Sequence, residues 1–232
     1  IVTSFWDYLP SEPTLPLHPI MTPAKQTFPD ALEFLELLQK YPLNPPKVYI
    51  EMDEEELVLY TGGTTGLPKG TVHPHENALF SGAFNYQVAQ IGRDLTPCNS
   101  AIIFGPMAHI GALSYGLFPS CVHGRKMVIL ARYDPITTMQ AIDKYKVEIF
   151  AGTVPLHKEL LEHPAFKDYD LSSVKLWMPG EWMVWVSPDF AKRWKDAVGT
   201  PLVKWGCGPG TEILNVMSCC GNRIGYEIPF KD

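Results

Sequence analysis

The stretch YTGGTTGLPKG, Tyr60 to Gly70, concentrates residue types that suit the binding of a phosphate chain. Its eleven positions hold four glycines, three threonines and one lysine, directly behind the apolar run 57–60. Glycines let a ligand reach main-chain N–H groups, threonine hydroxyls add donors, and a lysine adds a mobile positive charge. A mobile surface turn is the plainer interpretation of a glycine-rich loop, but the interleaved threonines weigh against it. We therefore predict that this loop binds phosphate.

Two common phosphate-binding motifs do not fit the spacing. In a Walker A loop the lysine is followed by serine or threonine and lies at the opening of a helix. Lys69 instead lies between Pro68 and Gly70, and the loop does not contain the dinucleotide fingerprint G-x-G-x-x-G. The sequence therefore predicts a phosphate-binding loop of a different kind.

The elements that must position this loop are short apolar runs alternating with helical segments. Predicted strands lie at 57–60, 101–107, 125–131, 147–152, 174–180 and 201–206. Predicted helices lie at 31–41, 77–90, 109–120, 135–145, 155–163 and 187–199. The alternation is typical of a mostly parallel sheet flanked by helices, so the predicted fold class is α/β. Ligands of such folds bind beyond the carboxyl ends of the strands, and the loop follows the buried-looking strand 57–60.

Three of the predicted helices have a recognisable start. Asp30 is predicted to cap the helix at 31–41, with Glu33 as the acid of a capping box. Asp134 and Ser187 are each followed by proline, which is favoured at the first helical position. The last two starts place their helices between predicted strands of the sheet.

Net charge and hydropathy argue against two classes of protein, those that bind nucleic acids and those that span a membrane. A net charge of -6 and an isoelectric point near 5.6 argue against a nucleic-acid partner, which normally requires a basic face. No apolar run approaches the roughly 18 residues that span a bilayer, and the N-terminus has no signal-peptide pattern. We therefore expect a soluble, cytoplasmic protein without a transmembrane segment. The five cysteines follow no C-x-x-C spacing, which argues against a zinc site or a disulfide framework.

Proline is concentrated at the beginning of the chain. Nine of the 22 prolines fall within the first 46 residues. Proline lacks a main-chain N–H and fixes its own φ, so a segment rich in proline resists regular secondary structure. We therefore predict an irregular lead-in segment over 1–46, followed by a domain over 47–232.

The glycine-rich loop resembles the signature Y-T-S-G-T-T-G-x-P-K-G of the acyl-adenylate-forming enzymes, which include acyl-CoA synthetases, luciferases and peptide-synthetase adenylation domains. Gly62 stands where serine is usual. The resemblance extends from Asp53 to Glu212 through TVHPHENAL, GPMAHIGAL, KYKVEIFAGTVPLHKELLEHP and DLSSVKLWMPGE. It implies that 47–232 is the central part of a large N-terminal domain. The smaller C-terminal domain of the family, with its catalytic lysine, is expected to be absent.

The resemblance also implies an activity. In this family a carboxylate attacks the α-phosphate of ATP, pyrophosphate leaves, and the thiol of coenzyme A then displaces AMP. The implied partners are a carboxylic acid, ATP and coenzyme A, with Mg²⁺ at the phosphates, and homo-oligomerisation is left open. By resemblance, the catalytic residues are Lys69, His109 and Glu212, the last of these as the Mg²⁺ ligand. The implied nucleotide-binding residues are Thr61, Gly62, Gly63, Thr64, Thr65, Gly66, Lys69, Gly180, Glu181 and Thr211.

Two stretches depart from the family pattern. In WGCGPGTE, four residues separate Trp205-Gly206 from Thr211-Glu212, where the family has one. The three extra residues displace the Glu212 carboxylate or force a bulged turn, so a solvated glutamate remains an alternative to a Mg²⁺ ligand. In LWMPGEWMVWV, the tryptophans either line an acyl tunnel or pack in the core, and core packing is favoured.

Three functions therefore remain open. The first is a synthetase that activates a medium- or long-chain fatty acid. The second is a non-catalytic module that holds ATP or AMP, because the altered stretch before Glu212 has lost the metal. The third is an aryl-acid or amino-acid adenylation domain.

Overall fold

A computed structural model describes residues 1–61, 66–88, 98–180 and 185–203 of the chain. The chain forms two compact units, Ile1–Ile50 and Glu51–Asp232. The first unit has two short 3₁₀ turns, Phe5–Asp7 and Pro19–Met21, and one helix, α1, at Phe34–Lys40.

The predicted start of α1 was wrong. Asp30 does not cap the helix. The helix begins at Phe34, with Glu33 in the N-cap position, and no side chain makes a capping hydrogen bond there. The reason is pairing with the N-terminus of the chain. The Val2 N–H donates to the Leu32 carbonyl at 2.8 Å, and the Phe34 N–H donates to the Val2 carbonyl at 2.9 Å. This pairing keeps the chain extended through Glu33 and overrides the local capping signal.

The second unit begins with an antiparallel hairpin of β1, Glu55–Tyr60, and β2, Gly70–Pro74. The glycine-rich loop therefore joins two antiparallel strands, and the prediction that it follows a strand of the parallel sheet was wrong. Leu59 is the one buried residue of β1, whereas its neighbours Val58 and Tyr60 are exposed to solvent. A continuous apolar run predicts a strand covered on both faces, but one face of this hairpin is exposed to solvent.

Helices support the covered face of the hairpin. They are α2, His75–Val88, followed later in the chain by α3, Ile110–Ala112, a π-helical turn at Leu113–Leu117, and α4, Phe118–His123. Leu59 packs in a cluster with Ala78 of α2 and Leu113 of the π turn. A Cβ at Gly82 of α2 would lie 2.9 Å from the Phe118 carbonyl oxygen, so α2 and α4 approach each other closely at this glycine.

A four-stranded parallel sheet with its helices follows in the described part of this unit. Its strands are β3, Ser100–Ile103; β4, Lys126–Ile129; β5, Ile149–Thr153; and β6, Leu176–Gly180. The order across the sheet is β4-β3-β5-β6, and all pairs are parallel. Leu202 adds a parallel bridge to Trp177 of β6.

The helices that accompany the sheet are α5, Pro135–Tyr145; α6, Val154–Glu162; and α7, Pro188–Val198. The α/β prediction is thus confirmed.

Two predicted helix starts are confirmed in atomic detail. The Asp134 carboxylate accepts a hydrogen bond from the Thr137 N–H at 2.7 Å, at the start of α5. The Ser187 hydroxyl accepts from the Phe190 N–H at 3.2 Å, at the start of α7. In both helices proline follows the cap, where its missing N–H costs no helical hydrogen bond.

The core beside β5 and β6 is a cluster of four fully buried rings, which we call the ring cluster: Phe150, His157, Trp177 and Trp194. Trp177 and Trp194 meet edge to face with their centroids 4.9 Å apart, and His157 lies 5.3 Å from Trp194. Core packing is therefore confirmed for Trp177. Trp185, by contrast, is 71% exposed, and Trp182 lies outside the described residues.

Within the described ranges, no helix combines the length and apolar character needed to cross a membrane. Neither Cys98, which is buried, nor Cys121, which is exposed, is part of a disulfide, and the other three cysteines fall outside those ranges.

Candidate nucleotide-binding site

The two ends of the glycine-rich loop are joined at the end of the hairpin. Tyr60 and Gly70 form the last paired residues of β1 and β2. Beyond them, the Thr61 N–H donates to the Lys69 carbonyl at 2.9 Å. The Lys69 N–H donates to the Thr61 hydroxyl oxygen at 3.4 Å, and that hydroxyl lies 3.4 Å from the Lys69 carbonyl oxygen. Thr61 and Lys69 therefore form a closed base for the loop.

The described part of the loop projects into solvent. Gly66, Leu67 and Lys69 are all exposed, with Leu67 at 89%. A Cβ placed on Gly66 would meet no atom within 4 Å, so open space surrounds the main chain at that point. The structure thus leaves the Lys69 side chain accessible to a ligand in solution. The predicted ligands Gly62, Gly63, Thr64 and Thr65 lie outside the described residues.

A second threonine supports the hairpin directly beneath the loop. The Thr71 hydroxyl donates to the Leu59 carbonyl at 2.8 Å, and it lies 3.3 Å from the Nε2 atom of His73. Because the proton of Thr71 is directed to Leu59, Nε2 of His73 is the donor in that contact. His73 is buried. Sequence reasoning missed this pair, although the alternation after the loop places Thr71 and His73 on one face of β2.

The first two main-chain N–H groups of α2 are already hydrogen-bonded within the chain. The main-chain N–H of His75 donates to the Glu54 carbonyl at 3.1 Å, and that of Glu76 donates to the Met52 carbonyl at 2.9 Å. Free N–H groups at a helix start are a common phosphate-binding device, and two of them are used here by the chain itself. The amides and hydroxyls of the loop therefore remain the candidates for phosphate contact.

His109 lies in the connection that follows β3, at the start of α3. Its Nδ1 atom accepts a hydrogen bond from the Gly111 N–H at 3.0 Å. In the neutral imidazole one ring nitrogen accepts and the other carries the hydrogen, so the hydrogen is on Nε2. The side chain is exposed. His109 can therefore present an N–H donor to a ligand while Nδ1 caps the helix.

Gly111 allows this arrangement. A Cβ at that position would lie 3.1 Å from Nδ1 of His109 and 3.4 Å from Cε1. The distance to Nδ1 is tighter than most Cβ contacts, whereas that to Cε1 is close to ordinary van der Waals contact, so an alanine at residue 111 would press against Nδ1 of the imidazole. The glycine thus sets how closely the His109 ring lies over the main chain.

Gly180 is the last residue of β6 and pairs in register with Thr153, the last residue of β5. His109 follows β3, which is parallel to both strands, so Gly180 and the segment carrying His109 belong to the carboxyl edge of the sheet. Within the described ranges, hydrogen bonds join Thr61 to Lys69 but join neither of them to His109 or Gly180. Glu181, Thr211 and Glu212 lie outside the described residues, and the roles given to all of these positions remain predictions.

Salt bridges lie at the opposite edge of the sheet, where the strands begin. The Glu148 carboxylate contacts the Lys175 ammonium and accepts a hydrogen bond from the Asn99 N–H. Burial raises the pKa of Glu148, but these donors outweigh it and hold the pKa below its usual value. The Lys146 ammonium lies 2.9 Å from both Asp143 and Asp170. Ligand binding by the sheet is therefore expected at the other edge.

His157 is a buried histidine that the site does not use directly. Its Nδ1 atom lies 3.0 Å from the Thr153 carbonyl oxygen and is therefore a donor. Burial lowers the pKa of His157 to about 4, and the bond to Thr153 offsets only part of that effect. Its Nε2 atom and the indole N–H groups of Trp177 and Trp194 are buried and have no hydrogen-bond partner among the residues that the structure describes. The imidazole is therefore neutral near pH 7 and belongs to the core.

The predicted metal ligand, Glu212, lies outside the described residues, and its role remains a prediction. In the parts of the chain that the structure describes, no group of three His, Cys, Asp or Glu residues is placed to hold a metal ion.

The chain is similar to known CoA ligases, among them one from a bacterium and one from a plant. The chain is 32% identical over 197 residues to a long-chain-fatty-acid–CoA ligase of Bacillus subtilis, covering 78% of this chain and 33% of that protein. It is 30% identical over 194 residues to 4-coumarate–CoA ligase 2 of Petroselinum crispum, covering 82% of this chain and 35% of that protein. The chain thus spans about a third of the length of the curated relatives it matches.

The fold is shared with a solved structure, the inhibitor-bound N-terminal domain of FACL13 from Mycobacterium tuberculosis. The TM-score is 0.64 at 21% identity, over 77% of this chain and 42% of that one. At this identity the likeness shows the fold alone. A family model described as AMP-binding enzyme matches residues 11–227. This match covers nearly the whole chain and includes the glycine-rich loop, and the chain therefore belongs to the AMP-binding enzyme family.

Proposed function

We propose that this chain is the nucleotide-binding part of an ATP-dependent acid–thiol ligase. Such an enzyme converts a carboxylic acid to its acyl-adenylate and then to its coenzyme A thioester. The observation that carries the proposal is the glycine- and threonine-rich loop, which projects from the end of a hairpin with its two ends joined and Lys69 exposed. Membership of the AMP-binding enzyme family supports the same assignment.

The chemistry explains why these residue types are needed. A carboxylate oxygen attacks the α-phosphorus of ATP, the bond to pyrophosphate breaks, and the acyl-adenylate forms. The thiol sulfur of coenzyme A then attacks the acyl carbon, and AMP leaves. In the first step an anion approaches a polyanion, so fixed donors and positive charge must offset the repulsion. Lys69 supplies that charge, and we assign it to the departing pyrophosphate.

The remaining site residues are assigned on the family pattern. Gly62 to Gly66 present amides and hydroxyls to the phosphates, and Gly180 and Glu181 lie along the adenine. Thr211 and Glu212 follow, with the Glu212 carboxylate as an oxygen ligand for Mg²⁺. When bound, that ion supplies positive charge next to the phosphate oxygens. We also assign 1–46 as a lead-in segment and 47–232 as the central part of the nucleotide-binding domain.

We assign His109 to the carboxylic acid substrate. Its Nδ1 atom is the acceptor of the helix cap, so in the neutral ring Nε2 carries the hydrogen, on a side chain that is exposed. An N–H donor can hold a carboxylate or carbonyl oxygen, whereas it cannot remove a proton. His109 is therefore proposed to orient the acid rather than to act as a base.

For the acid itself, we propose a medium- or long-chain fatty acid. The support is the similarity to the Bacillus subtilis long-chain-fatty-acid–CoA ligase. The similarity to a 4-coumarate–CoA ligase, at 30% identity, favours an aryl acid as the second candidate. The two differ in substrate shape, since one is a flexible chain and the other is a planar ring.

The test is acid-dependent exchange of labelled pyrophosphate into ATP. The 232-residue chain is assayed with Mg²⁺ and a panel of hexanoic, palmitic, 4-coumaric and benzoic acids, and the long-chain-fatty-acid–CoA ligase serves as a positive control. We expect weak exchange that is still above the acid-free rate, and faster exchange with the fatty acids than with 4-coumaric acid. Faster exchange with 4-coumaric acid would favour the aryl ligase. A folded chain that binds ATP but exchanges no pyrophosphate with any acid would contradict catalysis by this chain.

A second candidate function is a non-catalytic nucleotide-binding module. It is favoured by the three extra residues in WGCGPGTE, which alter the spacing before Glu212. Calorimetric titration of ATP and AMP, each with and without Mg²⁺, separates the two functions. Tight AMP binding that does not depend on Mg²⁺ supports the module, whereas ATP binding that needs Mg²⁺ supports the ligase.

A further inference from the structure

We propose that the ring cluster holds a buried water molecule, which donates a hydrogen bond to Nε2 of His157 and accepts one from the indole N–H of Trp177 or Trp194. The proposed function assigns no ligand to this cluster, and the inference does not depend on that function. It is carried by the burial of the three rings, by the contacts between them, and by the hydrogen bond that His157 makes to Thr153.

The three rings bring polar groups without partners together in one place. His157, Trp177 and Trp194 are each 0% exposed. In the described ranges, Nε2 of His157 and both indole N–H groups make no hydrogen bond. A buried polar group that is left without a partner costs about 1–3 kcal/mol, and native proteins satisfy most such groups with protein atoms or ordered water. Three such groups in neighbouring rings therefore indicate a shared partner.

The hydrogen bond at Nδ1 decides what Nε2 requires. Nδ1 of His157 lies 3.0 Å from the carbonyl oxygen of Thr153, so Nδ1 carries the hydrogen. In the neutral imidazole the other nitrogen then has a lone pair and no hydrogen. Burial lowers the pKa of His157 to about 4, so Nε2 stays unprotonated near pH 7. Nε2 therefore requires a hydrogen-bond donor.

The indoles do not supply that donor directly. The indole N–H is a donor, but neither Trp177 nor Trp194 bonds to Nε2 of His157 in the part of the chain that the structure describes. The rings meet edge to face instead, and the centroid of His157 lies 5.3 Å from that of Trp194 and 6.2 Å from that of Trp177. A water molecule that makes two hydrogen bonds spans atoms up to about 6 Å apart. The spacing of the rings therefore suits a bridge through one water.

Aromatic faces are the alternative partners for the two indole N–H groups. The planes of Trp177 and Trp194 meet at 70°, and an N–H can point at the face of a neighbouring ring. Such contacts do nothing for His157, because a ring face accepts a hydrogen bond and has no hydrogen to donate to Nε2. Nε2 is thus the atom that distinguishes a bound water from ring contacts alone.

The same groups define the chemistry of the ligand, which must both donate to Nε2 and accept from an indole N–H. A carboxylate or a halide has no hydrogen to donate, and a metal ion has no lone pair with which to accept. Burying either kind of ion also costs far more than burying a neutral molecule. A buried water typically makes about three hydrogen bonds to groups of this kind. Bound here, it joins α6, which carries His157, to β6 or α7, which carry the tryptophans.

The first test looks for the water in the unaltered chain. NOE and ROE spectra with selective excitation of water are recorded by NMR on the ¹⁵N-labelled 232-residue chain. We expect cross-peaks of opposite sign in the two spectra at the indole N–H of Trp177 or Trp194, the signature of a long-lived contact with water. Trp185 is the matched control, because it is 71% exposed and hydrogen exchange with bulk water gives the same sign in both spectra. Absence of opposite-sign peaks at both buried indoles would overturn the proposal.

The second test asks whether the water depends on His157. His157→Phe removes the acceptor and keeps a ring, whereas His157→Gln keeps an oxygen that can accept and serves as the control. We expect the water peaks to be lost in His157→Phe and kept in His157→Gln. Peaks that persist in His157→Phe would show a water held by the indoles alone, and would overturn the proposal.

A crystal structure of the unaltered chain decides the matter if a variant does not fold or if both variants lose the peaks. We expect a water oxygen about 2.7–3.2 Å from Nε2 of His157, with an indole N–H as its second partner. A protein donor at Nε2, or no donor within that distance, would overturn the proposal.

Discussion

The hairpin that carries the glycine-rich loop and the ring cluster beside β5 and β6 are held together by different forces. The hairpin has one solvated face, on which Val58 is 47% and Tyr60 is 70% exposed. Its end is held by threonine hydroxyls bonded to main-chain atoms. The ring cluster is fully buried and is held by the contact of large side chains.

The two regions therefore serve different purposes: the ring cluster contributes to stability, and the loop is proposed to bind the ligand. Burial of large side chains supplies most of the stability of a domain, and it requires a fixed shape. A loop that receives phosphate must instead leave its amides and its cation open to solvent. Substitutions in the ring cluster should therefore change the free energy of unfolding, and substitutions at the loop should change nucleotide affinity.

The largest effect is expected for Trp177→Ala. Trp177 is fully buried against Phe150, His157 and Trp194, so its removal leaves a large cavity. We expect the free energy of unfolding to fall by about 3–5 kcal/mol, measured by denaturant unfolding. Trp185→Ala is the matched control, because Trp185 is 71% exposed, and its loss should stay within about 0.5 kcal/mol. Similar losses for the two variants would contradict the contrast between core and surface.

The second effect is a pH dependence of stability that comes from His157. Its pKa is lowered to about 4 by burial, from a model-peptide value of 6.5. Between these values the unfolded chain binds a proton that the folded chain does not, so stability falls as the pH is lowered. The contribution is fully present above about pH 6.5 and fully lost below about pH 4. At about 1.4 kcal/mol per pKa unit, the loss is about 3 kcal/mol.

The measurement compares the unaltered chain with His157→Gln by denaturant unfolding at pH 7 and pH 4. Other groups titrate alike in the two proteins, so the difference between their pH dependences isolates His157. We expect the stability of the unaltered chain to decrease by about 3 kcal/mol more than that of the variant. Parallel pH dependences would show that His157 is not buried in its neutral form.

A third effect tests the loop. If Lys69 contacts the β- and γ-phosphates, Lys69→Ala should weaken ATP binding by about 10- to 100-fold, the range for a charge-assisted hydrogen bond, and should affect AMP binding much less. The free energy of unfolding should hardly change, because the side chain is exposed. Calorimetric titration of both nucleotides measures the split. Equal losses for ATP and AMP would place Lys69 away from the β- and γ-phosphates.

The smallest effect is expected on the solvated face of the hairpin. Val58→Thr keeps the branched shape that strands favour and places a hydroxyl in solvent. We expect the free energy of unfolding to change by less than about 0.5 kcal/mol and ATP affinity to stay the same. A large loss of stability, seen by denaturant unfolding, would mean that this face is covered in solution.

The sequence predicted elements whose signals are local. Asp134 and Ser187 cap helices as expected, because each cap depends only on residues within one turn. The strands of the parallel sheet were found from continuous apolar runs, which burial on both faces requires. Where a distant partner intervened, the prediction failed. Pairing of Val2 with 32–34 displaced the start of α1 to Phe34.

The same distinction, between local sequence signals and distant partners, applies to the candidate site. Residue types and spacing in YTGGTTGLPKG were enough to predict a phosphate-binding loop and a family that the comparisons confirm. They did not predict β2, because a strand of five residues beginning with glycine and ending with proline has little strand character of its own. Nor did they predict that the loop is the end of an antiparallel hairpin.

By itself, therefore, the sequence determined the fold class, the family and the chemical character of the loop, since these depend on residue types at short spacing. Only the tertiary structure decided which partner each polar group takes. It directed the Thr61 hydroxyl to the main chain of Lys69 and the His109 Nδ1 atom to the Gly111 N–H. The physical reason is that a hydrogen bond depends on distance and angle to a few tenths of an ångström, and packing of the whole domain sets these.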